Sequence, residues 1–167
     1  MASAELVKLV SHYEGLHDGD LSKVGLQPKM DPVGIWTEGW GRAMVGKDGK
    51  FLKGVDKKAL AYASQTIHTV AEADAALLVD LKPFQLQVER KIKVDLTDLQ
   101  KAALVSHFYN TGGSSTLCDL INKGDKGLYD WWCSHYITGQ GVALKGLKLR
   151  RQTEAHLFTT GELKFFN

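Results

Sequence analysis

Apolar positions first recur at helical spacing. Leu6, Leu9, Val10 and Tyr13 mark one face of a helix over 4–13, with Ser3 placed to cap its start. Gly15 ends it, which leaves Glu14 at the C-terminal end. From about 15 to 55 the helical period is lost. Glycines recur at 15, 19, 25, 34, 39, 41, 46, 49 and 54, and short β-prone pieces such as Gly34-Ile-Trp-Thr37 lie between them. Lys47-Asp-Gly-Lys50 reads as a hairpin turn. The pattern predicts a small, turn-rich β-lobe.

After that lobe the chain reads as helical almost to its end. Thr69-Val-Ala-Glu72 and Thr97-Asp-Leu-Gln100 are capping boxes, in which a hydroxyl accepts from the backbone three residues on and the longer side chain reaches back. The first opens a helix through Leu77, Leu78 and Leu81 that Pro83 should kink or divide, with the second part running to about Lys91. The second opens Ala102-Ala-Leu-Val-Ser-His-Phe-Tyr109, apolar on most sides and therefore the expected buried central helix. Further helices are expected near 115–122, 126–135 and 147–158. No repeat, low-complexity stretch or linker marks a second module, so one domain is expected over 1–167: a β-lobe at about 15–55, and a helical lobe from 3–14 and 56–167.

Composition narrows the reading a little. The chain has 167 residues and a formal charge of +2, too small an excess to argue for nucleic acid. The N-terminus lacks a basic region and a long apolar run, because Glu5 and Lys8 interrupt it, so neither a signal peptide nor stable membrane insertion is expected. Cys118 and Cys133 show no metal-ligand or redox spacing and are expected to be reduced. None of the 6 histidines stands at His-Glu-x-x-His spacing, and no phosphate-binding loop or Gly-x-Ser-x-Gly appears, so no metal or cofactor is expected.

Candidate chemistry centres on two carboxyls. Glu14 stands where a helix gives way to a glycine-rich lobe, a natural edge for a cleft. A carboxyl held against apolar surface favours its protonated form and can act as a general acid, although a solvated helix-end glutamate would read the same. Asp31 precedes Pro32 in a turn, and Val33 to Thr37 can form one strand, so that Asp31 and Thr37 face one site from the two ends of a short hairpin. Two opposed carboxyls are what glycoside hydrolysis needs, one protonating the leaving oxygen and the other activating water or stabilising positive charge. A threonine hydroxyl can hold that water.

Glu14-Gly15, Asp31-Pro-Val-Gly-Ile-Trp-Thr37 and Gly39-Trp-Gly41 together resemble the active-site region of the phage lysozymes of glycoside hydrolase family 24. Downstream, Thr69-Val-Ala-Glu-Ala-Asp74, Leu96 to Ser106, Tyr109-Asn-Thr-Gly112, Ser115-Thr-Leu117 and Gly146 to Glu154 follow in the family's order, so the resemblance covers nearly the whole chain. It implies an α+β, lysozyme-like fold: a small N-terminal β-lobe, a larger all-helical lobe and the active-site cleft between them. By position, Glu14 is the acid, Asp31 the second carboxylate and Thr37 the residue that positions water. Tyr109, Asn110, Trp40 and Arg151 are the implied substrate contacts, and an arginine of Arg150-Arg151 the implied partner of Glu14. Among the remaining tryptophans, Trp36, Trp131 and Trp132 can also stack on sugars but fit a core equally well.

The resemblance implies an endolysin that hydrolyses the β-1,4 bonds between N-acetylmuramic acid and N-acetylglucosamine in bacterial peptidoglycan. It would act as a monomer without a cofactor, held in the host cytoplasm until a holin admits it to the wall. The competing readings are a lytic transglycosylase on the same substrate, a non-catalytic wall- or membrane-active lysis protein drawing on the basic Lys145 to Arg151 stretch, and an enzyme for another β-linked amino sugar. Three departures from the family pattern stand out. The interval from Glu14 to Asp31 is long, placing Asp18 and Asp20 as rivals for the role of Asp31. Glu38 stands where an apolar residue is usual. Arg42 replaces a common histidine, which puts a structural His–carboxylate pair in doubt.

Overall fold

The computed structural model describes residues 2–167. The chain is a mixed α+β protein with a small β region and a larger helical one. Its elements run α1 (Ser3–Glu14), β1 (Lys29–Met30), β2 (Trp36–Glu38), β3 (Arg42–Ala43), a 3-10 turn at Val55–Lys57, α2 (Lys58–Ser64), α3 (Val70–Lys91), α4 (Asp98–Thr111), α5 (Ser115–Lys123), α6 (Leu128–Ser134), β4 (Thr138–Gly139), β5 (Val142–Ala143) and α7 (Lys145–Thr160). Two compact units result: Glu14–Asp80, and the residues up to Tyr13 with Leu81–Asn167. Among the described residues no helix is long and apolar enough to cross a membrane.

The unit Glu14–Asp80 is built on the antiparallel order β1-β2-β3, with Lys29 opposite Thr37, Met30 opposite Trp36 and Glu38 opposite Arg42. Trp36, Met44 and Leu52 pack with Ala61 of α2, and Leu26 and Ile67 with Ala73 of α3. Compactness therefore extends to Asp80, well past the expected lobe limit near 55, because α2 and the first turns of α3 supply the apolar cover that so small a sheet lacks. The hairpin turn at 47–50 is present, with the Gly46 N–H donating to Lys50 O at 2.8 Å. The long segment between Glu14 and Asp31 is a closed loop. Its base is held by Gly19 N–H to Gln27 O at 3.0 Å, and a Cβ at Gly19 would run into the Pro28 carbonyl.

In the other unit α7 packs against α4 and α6. The α4 residues from Ala102 to Phe108 are all buried, as the apolar run predicts, and Trp132 of α6 meets Phe158 of α7 with ring centroids 5.4 Å apart. The Tyr13 hydroxyl lies 2.7 Å from that of Thr153 and ties the end of α1 to α7. Both capping boxes form. Pro83 does not divide its helix: α3 is continuous from Val70 to Lys91. The β4–β5 hairpin falls in a stretch with no predicted strand. Its turn holds Gln140 at φ 50° and Gly141 at φ 80°, and the usual Asn-Gly signal is absent. Cys118 and Cys133 are both free thiols.

Candidate active site

Strand alternation sorts the site from the core. Successive side chains of an extended segment leave on opposite sides, and directly paired residues share a side. Met30 and its partner Trp36 turn into the cluster with Met44 and Leu52. Lys29, Asp31 and Thr37 therefore belong to the opposite side. Asp31 is fixed by its own turn: its Oδ1 accepts from the N–H groups of Val33 at 3.0 Å and Ile35 at 2.8 Å, and its carbonyl accepts from Gly34. This Asx turn occupies the backbone that a strand from Val33 would have used, so β2 begins only at Trp36.

Glu14 reaches the same place from the other direction. It ends α1, and Gly15, at φ +77°, lets the chain leave the helix. Two residues on, the His17 N–H donates to Gly39 O at 2.9 Å, which fastens this stretch beside the end of β2. The result is an open pocket of about 410 Å³ lined by Glu14, Gly15, Leu16, His17, Lys29, Met30, Asp31 and Pro32. Glu14 and Asp31 thus share one pocket wall. Asp18 and Asp20, the rivals for the second carboxylate, do not line it. Asp18 Oδ1 accepts from Asp20 N–H and Gln27 N–H, each at 3.2 Å, and Asp20 Oδ1 takes the N–H and hydroxyl of Ser22, so both carboxylates hold the loop together.

The remaining expected residues are more dispersed. Thr37 is 4% exposed, and its hydroxyl donates to Ile35 O at 3.2 Å. Trp40 is half-buried and donates from Nε1 to Asp74 at 2.7 Å. Tyr109 packs edge-on against Phe84, and Asn110 is exposed at the end of α4 with its Oδ1 accepting from Arg151 at 2.9 Å. Arg151 does not fit its expected role as a substrate contact. It is fully buried, with Nε paired to Glu154 and Nη2 donating to Asn110, so it has no surface to offer a sugar. Arg150 stands over the ring of Tyr13, at 5.7 Å. Trp36 and Trp132 are core residues, and Trp131 stacks on His135.

Two of the departures resolve structurally. Glu38 does not face solvent. It is buried and accepts from Thr66 N–H at 2.9 Å, the Thr66 hydroxyl at 2.7 Å and Ile67 N–H at 3.1 Å, closing the turn between α2 and α3. Arg42 takes over a carboxylate pairing, donating to Asp80 of α3 through Nε at 3.0 Å and Nη2 at 2.8 Å. His17 and Lys29 as pocket residues were not singled out from the sequence. For Lys29 a signal existed: it stands two positions before Asp31 in an extended segment and so shares its side.

The phage lysozyme family profile matches residues 20–154, which takes in Asp31 and Thr37 and begins after Glu14. The chain is similar to the SAR-endolysin of Enterobacteria phage P21, 34% identical over 151 residues that span 87% of this chain and 81% of that one. Among solved structures it is similar to the endolysin from Escherichia coli O157:H7 phage FAHEc1, at 28% identity and a TM-score of 0.68, covering 98% of this chain and 96% of the other. It is also similar to the muramidase domain of SpmX from Asticaccaulis excentricus, at 29% identity and a TM-score of 0.63, covering 93% and 95%.

Proposed function

The chain belongs to the phage lysozyme family, and from that membership we propose that it is an endolysin acting as a muramidase. It hydrolyses the β-1,4 bond between N-acetylmuramic acid and N-acetylglucosamine in peptidoglycan and lyses a phage-infected host. The observation that carries this reading is the pairing of Glu14 and Asp31 in one pocket. The relatives named endolysin and muramidase support the same substrate.

Chemically, Glu14 is the general acid that protonates the glycosidic oxygen as the bond to the anomeric carbon breaks. Asp31 takes a proton from a water whose oxygen then bonds to that carbon. Because Asp31 Oδ1 is engaged by two backbone N–H groups, its other oxygen is the one free of that turn and suited to the base role. Thr37 donates its hydroxyl proton to Ile35 O, which leaves its lone pairs to accept from that water.

The test is mass spectrometry of products from purified peptidoglycan digested in heavy-oxygen water, with wild type beside Glu14→Gln. Labelled reducing-end muramic acid that disappears in the variant is the expected result. Anhydro-muramyl ends would make the enzyme a transglycosylase, and cut peptides on intact glycans would overturn the reading.

A further inference from the structure

The pocket holds a cation that the acid–base chemistry leaves unused. Lys29 lines the same wall as Glu14 and Asp31, is exposed, and makes no ion pair among the described residues. Its place is fixed by the sheet. Register sets it opposite Thr37, and its separation of two from Asp31 sends both side chains to the same side while Met30 between them turns to the core. A lysine is a compact charge on a flexible stem, suited to meeting an anion whose position varies.

The wall glycan presents such an anion. Each muramic acid carries a lactyl group extended by a peptide that ends in free carboxylates, whereas an uncharged amino-sugar polymer carries none. The Asp31 carboxylate in the pocket repels an acidic polymer, and a lysine lining the same pocket offsets that repulsion at the point of entry. We propose that Lys29 is a specificity-determining residue of this site, its ammonium pairing with a carboxylate of the lactyl-peptide substituent and so favouring acidic wall glycan over a neutral one. The inference rests on the muramidase reading and adds to it the group that recognises the substrate's charge.

The experiment compares purified peptidoglycan with the same material after its carboxylates have been converted to amides. Wild type, Lys29→Gln and Lys29→Arg are assayed on both. Wild type is expected to prefer the native wall by about fivefold in kcat/KM, the scale of one exposed ion pair, through KM rather than kcat. That preference falls towards one in Lys29→Gln, is largely retained in Lys29→Arg, and fades with added salt. A preference unchanged by Lys29→Gln, or an equal loss on both walls, overturns the assignment. Equal cutting of both walls by wild type removes the Lys29 role alone, whereas failure of wild type to cut glycan in either wall removes the muramidase reading itself.

Discussion

Glu154 and Arg151 form an ion pair, Nε to Oε2 at 3.0 Å, in which neither side chain is exposed to solvent. The same carboxylate accepts from the Ser106 hydroxyl at 2.7 Å, Arg150 Nε at 3.3 Å and Trp132 Nε1 at 3.3 Å, while Arg151 also reaches Asn110 at the end of α4. One glutamate thereby ties α4, α6 and α7 together. Its burial pushes the carboxyl pKa up, but the guanidinium of Arg151, followed by His107 and Arg150, overcomes that and holds it at about 2.

Removing one member of a buried pair leaves the other charge desolvated and uncompensated, which costs about 3–5 kcal/mol. Glu154→Leu is therefore expected to lose stability on that scale in urea unfolding. The double variant Glu154→Leu with Arg151→Leu recovers part of it, since the Arg151 charge is removed together with its partner and only Arg150 is left without Glu154. A single variant within about 1 kcal/mol of wild type would mean that the network is incidental to stability.

Acid should destabilise the protein over two pH ranges. Burial holds the His107 pKa below its ordinary 6.5, with Glu154 pulling it back up in part. The folded state thus binds that proton less readily than the unfolded chain, and stability is lost as pH falls below 6.5. Glu154 adds its own loss as pH drops from 4.5 towards 2, on the order of 3 kcal/mol in total. Thermal melts from neutral pH to about pH 3 should show both declines. His107→Gln is expected to flatten the upper one, and a profile unaltered by that change would remove His107 as its source.

What the sequence made legible was chemistry that acts within a few residues. Thr97 with Gln100 and Thr69 with Glu72 announce their helix starts because both partners of each bond lie three positions apart. Gly15 likewise announces the end of α1. Partners distant in sequence were not legible. Glu38 reads as an intruder on a strand until Thr66 and Ile67 fold back onto it, and Arg151 reads as a surface cation until Glu154 and Asn110 enclose it. The pairing of Glu14 with Asp31 in one pocket was suggested by the needs of glycoside chemistry and by the family resemblance, because nothing local reports that His17 fastens to Gly39 across the intervening loop.

Glu38 gives a prediction that runs against hydropathy. An apolar residue there is usual in the family, and the site is buried, so Glu38→Leu looks conservative. In this chain it would strand the buried Ile67 N–H, at a cost of about 1–3 kcal/mol, and take the acceptor from the N–H and hydroxyl of the exposed Thr66, which water can replace. Glu38→Gln keeps one acceptor and should fall between. Calorimetric Tm values that place Glu38→Leu at or above wild type would refute this.

The assignment of the second carboxylate can be separated from its neighbours by three parallel changes. Asp31→Asn keeps an oxygen that can still accept from Val33 and Ile35, so the turn should survive, but an amide cannot take a proton from water. The expected fall in kcat is about 10²- to 10⁴-fold, with little change in KM or Tm. Asp18→Asn and Asp20→Asn also keep acceptors for the loop bonds, and since neither residue lines the pocket their kcat should stay near wild type. If Asp18→Asn or Asp20→Asn instead produced the large fall with an unchanged Tm, the loop carboxylate would be the base. Asp31 would then be left as the residue that merely shapes the turn before β2.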